Sequence, residues 1–286
     1  MSASSQQTAT ARFAAAVTRT VTARGTDFAY RAFGRGHGPV LVVLNHWGAN
    51  LDNFDPRIMD ALSEDRRVVA LDYRGVGASG GEAPLTVREM ADDVIAVIGA
   101  LDLGVVDLMG FSLGGFVAQE VVLQRPDLIR RVILTGTGPA GGVGIAKVGS
   151  VSWPLILRGM LTATDPKTFL FFTRTPNGRN AAKAFLGRLK ERSEDRDKPV
   201  TLGVFRRQLK AIKAWGKQAP QDLGQIRKPV LIANGDHDIM VPTKNSQDMA
   251  RRIPGSELHL YPDAGHGGIF QHHAAFAKTA RAFLNR

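Results

Sequence analysis

The chain has 286 residues, 44% of them apolar, which suffices for one sizeable core without a second domain. It has no cysteine, which excludes disulfides, thiolate metal sites and a cysteine nucleophile. The net charge is +11, so the location of the excess decides whether nucleic acid is a candidate partner.

Residues 1–18 are polar and alanine-rich and read as an N-terminal arm, expected to be mobile. Their apolar patch, Phe13 to Val17, is shorter than the roughly 7–15 residues of a signal-peptide core. No apolar run approaches the roughly 20 residues that span a bilayer. A cytoplasmic protein without membrane contact is the expectation. Residues Val21 to Phe33 alternate weakly around Gly25, as an opening antiparallel hairpin does. Short runs rich in Val, Ile or Leu follow at Pro39–Leu44, Arg67–Leu71, Val105–Met109 and Arg131–Leu134, the pattern of strands buried on both faces.

Helices are expected between these runs. Asp55-Pro56 supplies an N-cap with proline at the first helical position. Thr86 to Glu89 is a capping box, followed by the apolar stripe Met90, Val94, Val97, Ile98 and Leu101. Another helix runs from about Leu113 to Gln124 and ends before Pro126. This alternation implies a parallel sheet with helices on both faces. It breaks off near Gly136 and resumes with a strand at Pro229–Ala233, a helix after Pro242, a strand at Glu257–Tyr261 and a helix near Gln271–Leu284.

Residues 19–139 and 226–286 thus form the core, and 140–225 an insert. The insert has a helix start at Asp165-Pro166, a stripe at Leu202, Phe205, Leu209 and Ile212, and an apolar cluster containing Trp153 and Met160. It reads as a helical lid over the carboxyl ends of the strands, where open α/β sheets bind ligands. Residues 136–228 hold 18 Lys/Arg and 6 Asp/Glu, a net of +12, and the rest of the chain nets −1. Acids are mixed in, as at 190–198, which reads as solvated helix faces. No zinc-finger or RNA-recognition signature accompanies the charge, and no nucleic-acid partner is expected.

Gly110-Phe111-Ser112-Leu113-Gly114 lies directly between a strand and a helix. A serine at such a turn sits in a strained conformation, and its neighbours two residues away must be small. The helix N-terminus turns its amides, Leu113 first, toward the oxyanion formed when Ser112 attacks a carbonyl. Serine needs a base. His266 lies in a glycine-rich loop after the last strand, whereas His272 and His273 begin the final helix, His259 is within a strand and His37 is in an early loop. The base needs a carboxylate, and two compete after the strand at 230–233. Asp238 is the choice, with Asp236 as the residue that holds the turn by bonding backbone amides.

With these motifs the chain resembles the α/β-hydrolase fold superfamily, and within it small bacterial esterases, lactonases and cofactor-free haloperoxidases. The chain order Ser, Asp, His and the segment Asp72 to Ser79, similar to the family's D-x-R-G-x-G-x-S loop, add to the resemblance. It implies a mostly parallel eight-stranded sheet with helices on both faces and a helical lid insert. It also implies a triad of Ser112, Asp238 and His266. Where the family has His-Gly after the strand at 40–44, this chain has Asn45-His46, and the second oxyanion amide falls to Trp47. Backbone donors do not depend on side-chain identity, so the hole can form. His46, Trp47, Trp153 and Met160 are candidates for the substrate pocket.

The expected reaction is hydrolysis of an ester or lactone of a hydrophobic small molecule through an acyl-enzyme, with no metal and no cofactor. The same three side chains could serve a perhydrolase or cofactor-free haloperoxidase, a carbon–carbon bond hydrolase or a thioesterase. A ligand sensor with a hydrolase fold is the non-enzyme alternative. No pattern in the chain encodes an oligomeric state.

Overall fold

The computed structural model describes residues 12–36 and 38–286; residues 1–11 of the expected arm, and His37, lie outside them. One eight-stranded sheet runs through the molecule. Its strands are β1 (Thr18–Ala23), β2 (Thr26–Phe33), β3 (Leu41–Leu44), β4 (Val68–Leu71), β5 (Val106–Phe111), β6 (Ile129–Thr135), β7 (Val230–Gly235) and β8 (Glu257–Tyr261). The order is β1-β2-β4-β3-β5-β6-β7-β8. β2 pairs antiparallel with both β1 and β4, and every pairing from β4 to β8 is parallel. The β1–β2 turn uses Arg24 at φ 50° and Gly25 at φ 70°, the left-handed pair that a two-residue hairpin favours.

The core helices are α1 (Pro56–Leu62), α2 (Val87–Ala100), α3 (Leu113–Gln124), α8 (Lys244–Arg252), α9 (Gly268–Gln271) and α10 (His273–Leu284). α1 packs on α10 and α2 on α3, as two layers divided by the sheet. The anticipated caps form: Asp55 accepts from the Arg57 amide and Thr86 from the Glu89 amide. β3, β4, β5 and β7 are buried along their whole length, as strands covered on both faces must be.

Residues 140–225 carry α4 (Val148–Leu161), α5 (Lys167–Phe171), α6 (Pro176–Arg188) and α7 (Leu202–Lys217). Their attachment to the core is polar and specific. Arg188 grips the fully buried Asp55 carboxylate, Nε to Oδ1 at 2.9 Å and Nη2 to Oδ2 at 2.7 Å. Thr173 and Thr175 donate to Asp263 at 3.0 and 2.9 Å.

Two expectations need correction. Residues 190–198 are solvated for the most part, as their charge implies, but they are not helix: α6 ends at Arg188, and the segment is a loop clamped at Arg192. Arg192 is buried and donates to the carbonyls of Ala14, Ala16 and Asp195, which satisfies its guanidinium without water. Within residues 12–17 of the expected mobile arm, Phe13 and Ala16 are anchored in the core, Phe13 against Phe33 and Phe54 with ring centroids 5.1 and 6.1 Å apart, while Arg12, Ala15 and Val17 stay exposed. Among the described residues no helix is long and apolar enough to cross a membrane.

Candidate active site

Four of the parallel strands, β3, β5, β7 and β8, deliver the candidate residues to one edge of the sheet. Asn45 to Gly48 follow β3, Ser112 follows β5, Asp238 follows β7 and His266 follows β8. Parallel strands end on the same side, so residues far apart in the chain meet there.

Ser112 has φ 56° and ψ −114°, a conformation that non-glycine residues avoid. The turn survives because its flanks lack side chains. A Cβ on Gly110 would lie 2.1 Å from the Gly114 carbonyl oxygen, and one on Gly114 would lie 2.3 Å from that of Leu44. Thr137 donates to the Ser112 carbonyl at 2.9 Å and helps to hold the strained residue.

His266 is 1% exposed, and its Nδ1–H donates to Asp238 Oδ2 at 2.8 Å. Asp238 Oδ1 accepts from the amides of Met240 and Val241 at 2.8 and 2.9 Å, which fixes the carboxylate. Asp236 instead accepts from the amides of Asp263 and Ala264 at 3.2 and 3.1 Å and from His237, and so closes the loop that carries the imidazole. Burial works against the Asp236 anion, but these donors outweigh it and hold its pKa below the usual carboxylate value. With Nδ1 committed to Asp238, Nε2 of His266 is the free nitrogen, and it has no hydrogen-bond partner among the described residues. Ser112 and His266 line the same cavity but are not hydrogen-bonded to each other, a spacing common before substrate tightens a site.

That cavity has a volume of about 360 Å³ and lies between the strand ends and the insert. His46, Trp47, Trp153 and Met160 all line it, together with Ile156, Leu170, Phe171, Phe205, Met240 and the Asp165–Lys167 ion pair. Trp153 and Met160 are 43% and 69% exposed, so they form its rim rather than its floor. The lining is mostly apolar, with few polar groups, the composition of a small-molecule pocket.

His46 donates from Nδ1 to the Trp47 carbonyl at 2.8 Å. Burial first, and then the nearby positive charge of Lys167, lower its pKa to about 3 against the opposing hydrogen bond to the Trp47 carbonyl, so the ring is neutral at working pH. His46 and His266 pack against the same two rings, Phe111 and Phe171. The amides of Trp47 and Leu113 donate to no acceptor among the described residues. Neither has an intrahelical partner available, since Trp47 is in a turn and Leu113 opens α3.

Sequence reasoning did not find Phe171, Lys167, Phe205 or Gln208. Phe171 accepts from the Gly267 amide at 2.7 Å and so touches the histidine loop. Only the run Phe169 to Phe172 hinted at it, and apolar runs usually mark plain core.

The chain belongs to the α/β hydrolase fold family, whose sequence model spans residues 39–273. A solved α/β hydrolase fold protein from Chitinophaga pinensis is 36% identical, covering 96% of this chain and 99% of that one, with a TM-score of 0.91. A chain from Agrobacterium fabrum that bears the name carbamate hydrolase RutD is 29% identical, over 80% of this chain and 86% of its own length. A poly(3-hydroxyalkanoate) depolymerase from Ectopseudomonas oleovorans is 29% identical, over 88% and 87%. This chain is accordingly a hydrolase of the α/β family.

Proposed function

We propose that the protein hydrolyses an ester or lactone bond of a hydrophobic small molecule through an acyl-enzyme on Ser112. The observation that carries this reading is the state of His266. Its Nδ1 is bound to a fixed carboxylate, while Nε2 is unspent beside the cavity that Ser112 lines. In this reading Ser112, His266 and Asp238 act as a triad. His266 Nε2 takes the Ser112 proton as Oγ attacks the carbonyl carbon, and Asp238 stabilises the resulting imidazolium. The carbonyl oxygen becomes an oxyanion held by the Trp47 and Leu113 amides. The imidazolium then protonates the leaving alkoxide, and water activated by His266 releases the acid and frees Ser112.

The apolar lining supports a hydrophobic substrate, and the insert acts as the lid over it. A poly(3-hydroxyalkanoate) is a polyester, so the depolymerase relative supports an ester bond. The second reading is a carbamate, favoured by the Agrobacterium relative and open to the same acyl transfer. Rates on matched p-nitrophenyl esters, lactones and carbamates separate the two. Ser112→Ala should lower ester hydrolysis by about 10³-fold or more. Hydrolysis at the wild-type rate in that variant would remove Ser112 from the reaction.

A further inference from the structure

Three consecutive amides follow β3, and two of them are already used. The His46 amide donates to Asn45 Oδ1 at 2.9 Å, and the Gly48 amide donates to Gln208 Oε1 at 2.9 Å. Only the Trp47 amide between them lacks an acceptor among the described residues. The peptide plane joining Trp47 to Gly48 is held at both ends, its carbonyl by His46 Nδ1–H and its N–H by Gln208. A peptide unit is rigid, so fixing both ends leaves the Trp47 backbone little freedom to rotate.

Half of that grip comes from α7, a helix of the insert and remote in sequence. The indole N–H of Trp47 donates to the Phe205 carbonyl at 2.8 Å, and the two rings stack with centroids 4.1 Å apart. Gly48, at φ 70°, brings its backbone so close to the Phe205 ring that a Cβ there would lie 2.9 Å from it. Just before α7 the same loop is met twice more: Asn50 Nδ2 donates to the Lys198 carbonyl, and the Asp197 amide to Asp52, at 2.9 and 2.8 Å. Gln208 is fully buried, and its Nε2 has no partner among the described residues. An unpaired buried amide donor costs about 1–3 kcal/mol.

We propose that Gln208, backed by Phe205, is a positioning residue for the oxyanion hole, so that the Trp47 amide is aimed at the developing oxyanion only while α7 is docked. The proposal rests on the acyl-transfer reading above. Gln208 does not touch the substrate; it acts through the Gly48 peptide. An insert that lifts to admit substrate releases both the indole and the Gly48 amide, and redocking rebuilds the hole around the bound carbonyl. Docking of the insert thereby becomes a condition for chemistry.

The test compares wild type with Gln208→Met, which keeps the side-chain volume and removes the acceptor, and with Trp47→Phe, which removes the indole donor. Each is assayed on a p-nitrophenyl ester and for inhibition by a trifluoromethyl ketone, whose tetrahedral adduct carries an oxyanion. Misaiming one donor should lower kcat by about 10- to 100-fold. The inhibition constant should weaken by a similar factor, with the KM of Gln208→Met within about 2-fold of wild type because Gln208 does not line the pocket and the ground-state carbonyl depends little on the hole. A purely structural loss would lower the melting temperature and the active fraction while leaving the inhibition constant unchanged. If Gln208→Met fails to fold, Trp47→Phe carries the same signature. A folded Gln208→Met enzyme with wild-type kcat and inhibition constant would overturn the proposal. Wild-type turnover by Ser112→Ala would instead overturn the acyl-transfer reading beneath it.

Discussion

At the scale of single residues, two aspartates two positions apart do different work because their carboxylates face different donors. Asp238 meets the imidazole of His266, and Asp236 meets the backbone that carries it. On the proposed acyl-transfer reading, Asp238→Asn should lower kcat by about 10³- to 10⁴-fold with little change in fold, since it corrupts the tautomer of His266. Asp236→Asn should leave kcat within about 10-fold and lower the melting temperature, since a charge-assisted hydrogen bond contributes about 1.5–3 kcal/mol. Steady-state kinetics and thermal melts on the pair distinguish the roles, and a reversed outcome would exchange them. His46 supplies a pH prediction. Its pKa falls from the ordinary 6.5 to about 3 on folding. Below 6.5 the unfolded chain takes up a proton that the folded one refuses. Its contribution is therefore complete above 6.5 and is lost as pH drops toward 3, by up to about 1.4 kcal/mol per pH unit. His46→Phe should flatten this acid limb in urea melts taken from pH 7 to pH 4; an unchanged slope would show that other groups set it.

At the scale of elements, the insert is bound to the core by buried charge rather than by apolar contact alone. Arg188 on α6 and Asp55 at the start of α1 form a bidentate pair, and Arg188 also donates to the Phe270 carbonyl at 3.1 Å. Removing one partner of such a pair strands the other charge. Arg188→Met should cost about 3–5 kcal/mol in denaturant unfolding and loosen α6 from α9. A loss below about 1 kcal/mol would mean that water reaches Asp55 and takes over from the guanidinium. The elements differed in how easily the sequence could be read. α2 and α7 announce themselves by an N-cap threonine and an apolar stripe. α4 does not: Pro154 and two glycines interrupt it, and its apolar residues face both the cavity and the outside, with Leu157 and Leu161 55% and 79% exposed. Without a one-sided stripe the helical period leaves no mark. α6 is cut off from view by its polarity, because few of its residues reach the core.

At the scale of the whole molecule, the core and the insert also meet through a pair of carboxyl groups. Asp72, after β4, is 1% exposed. Burial first, and then its neighbour Asp197 in the clamped loop, push its pKa well above the usual carboxylate value. A raised folded value means that the proton-bound form is the one that fits. Its stabilisation is present below the ordinary value near 3.8 and is lost as pH rises through the raised one. Asp72→Asn keeps a donor for Asp197 and removes the titration. That variant should gain stability over wild type at neutral and alkaline pH and none at acid pH, by calorimetry; a gain independent of pH would place the effect elsewhere. By itself the sequence determined the strand–helix alternation, the strained serine turn between small neighbours, and the loops that end in Asp238 and His266. All of these are local, since buried strands need unbroken apolar runs and tight turns need glycine. Only the tertiary structure decided which aspartate faces the imidazole, that the charged run at 190–198 is a loop clamped at Arg192 rather than a helix, and that α7 holds the loop after β3. Those outcomes depend on hydrogen bonds between residues far apart in the chain, 28 positions for His266 and Asp238 and 160 for Gly48 and Gln208, and periodicity carries no information about contacts at such separations.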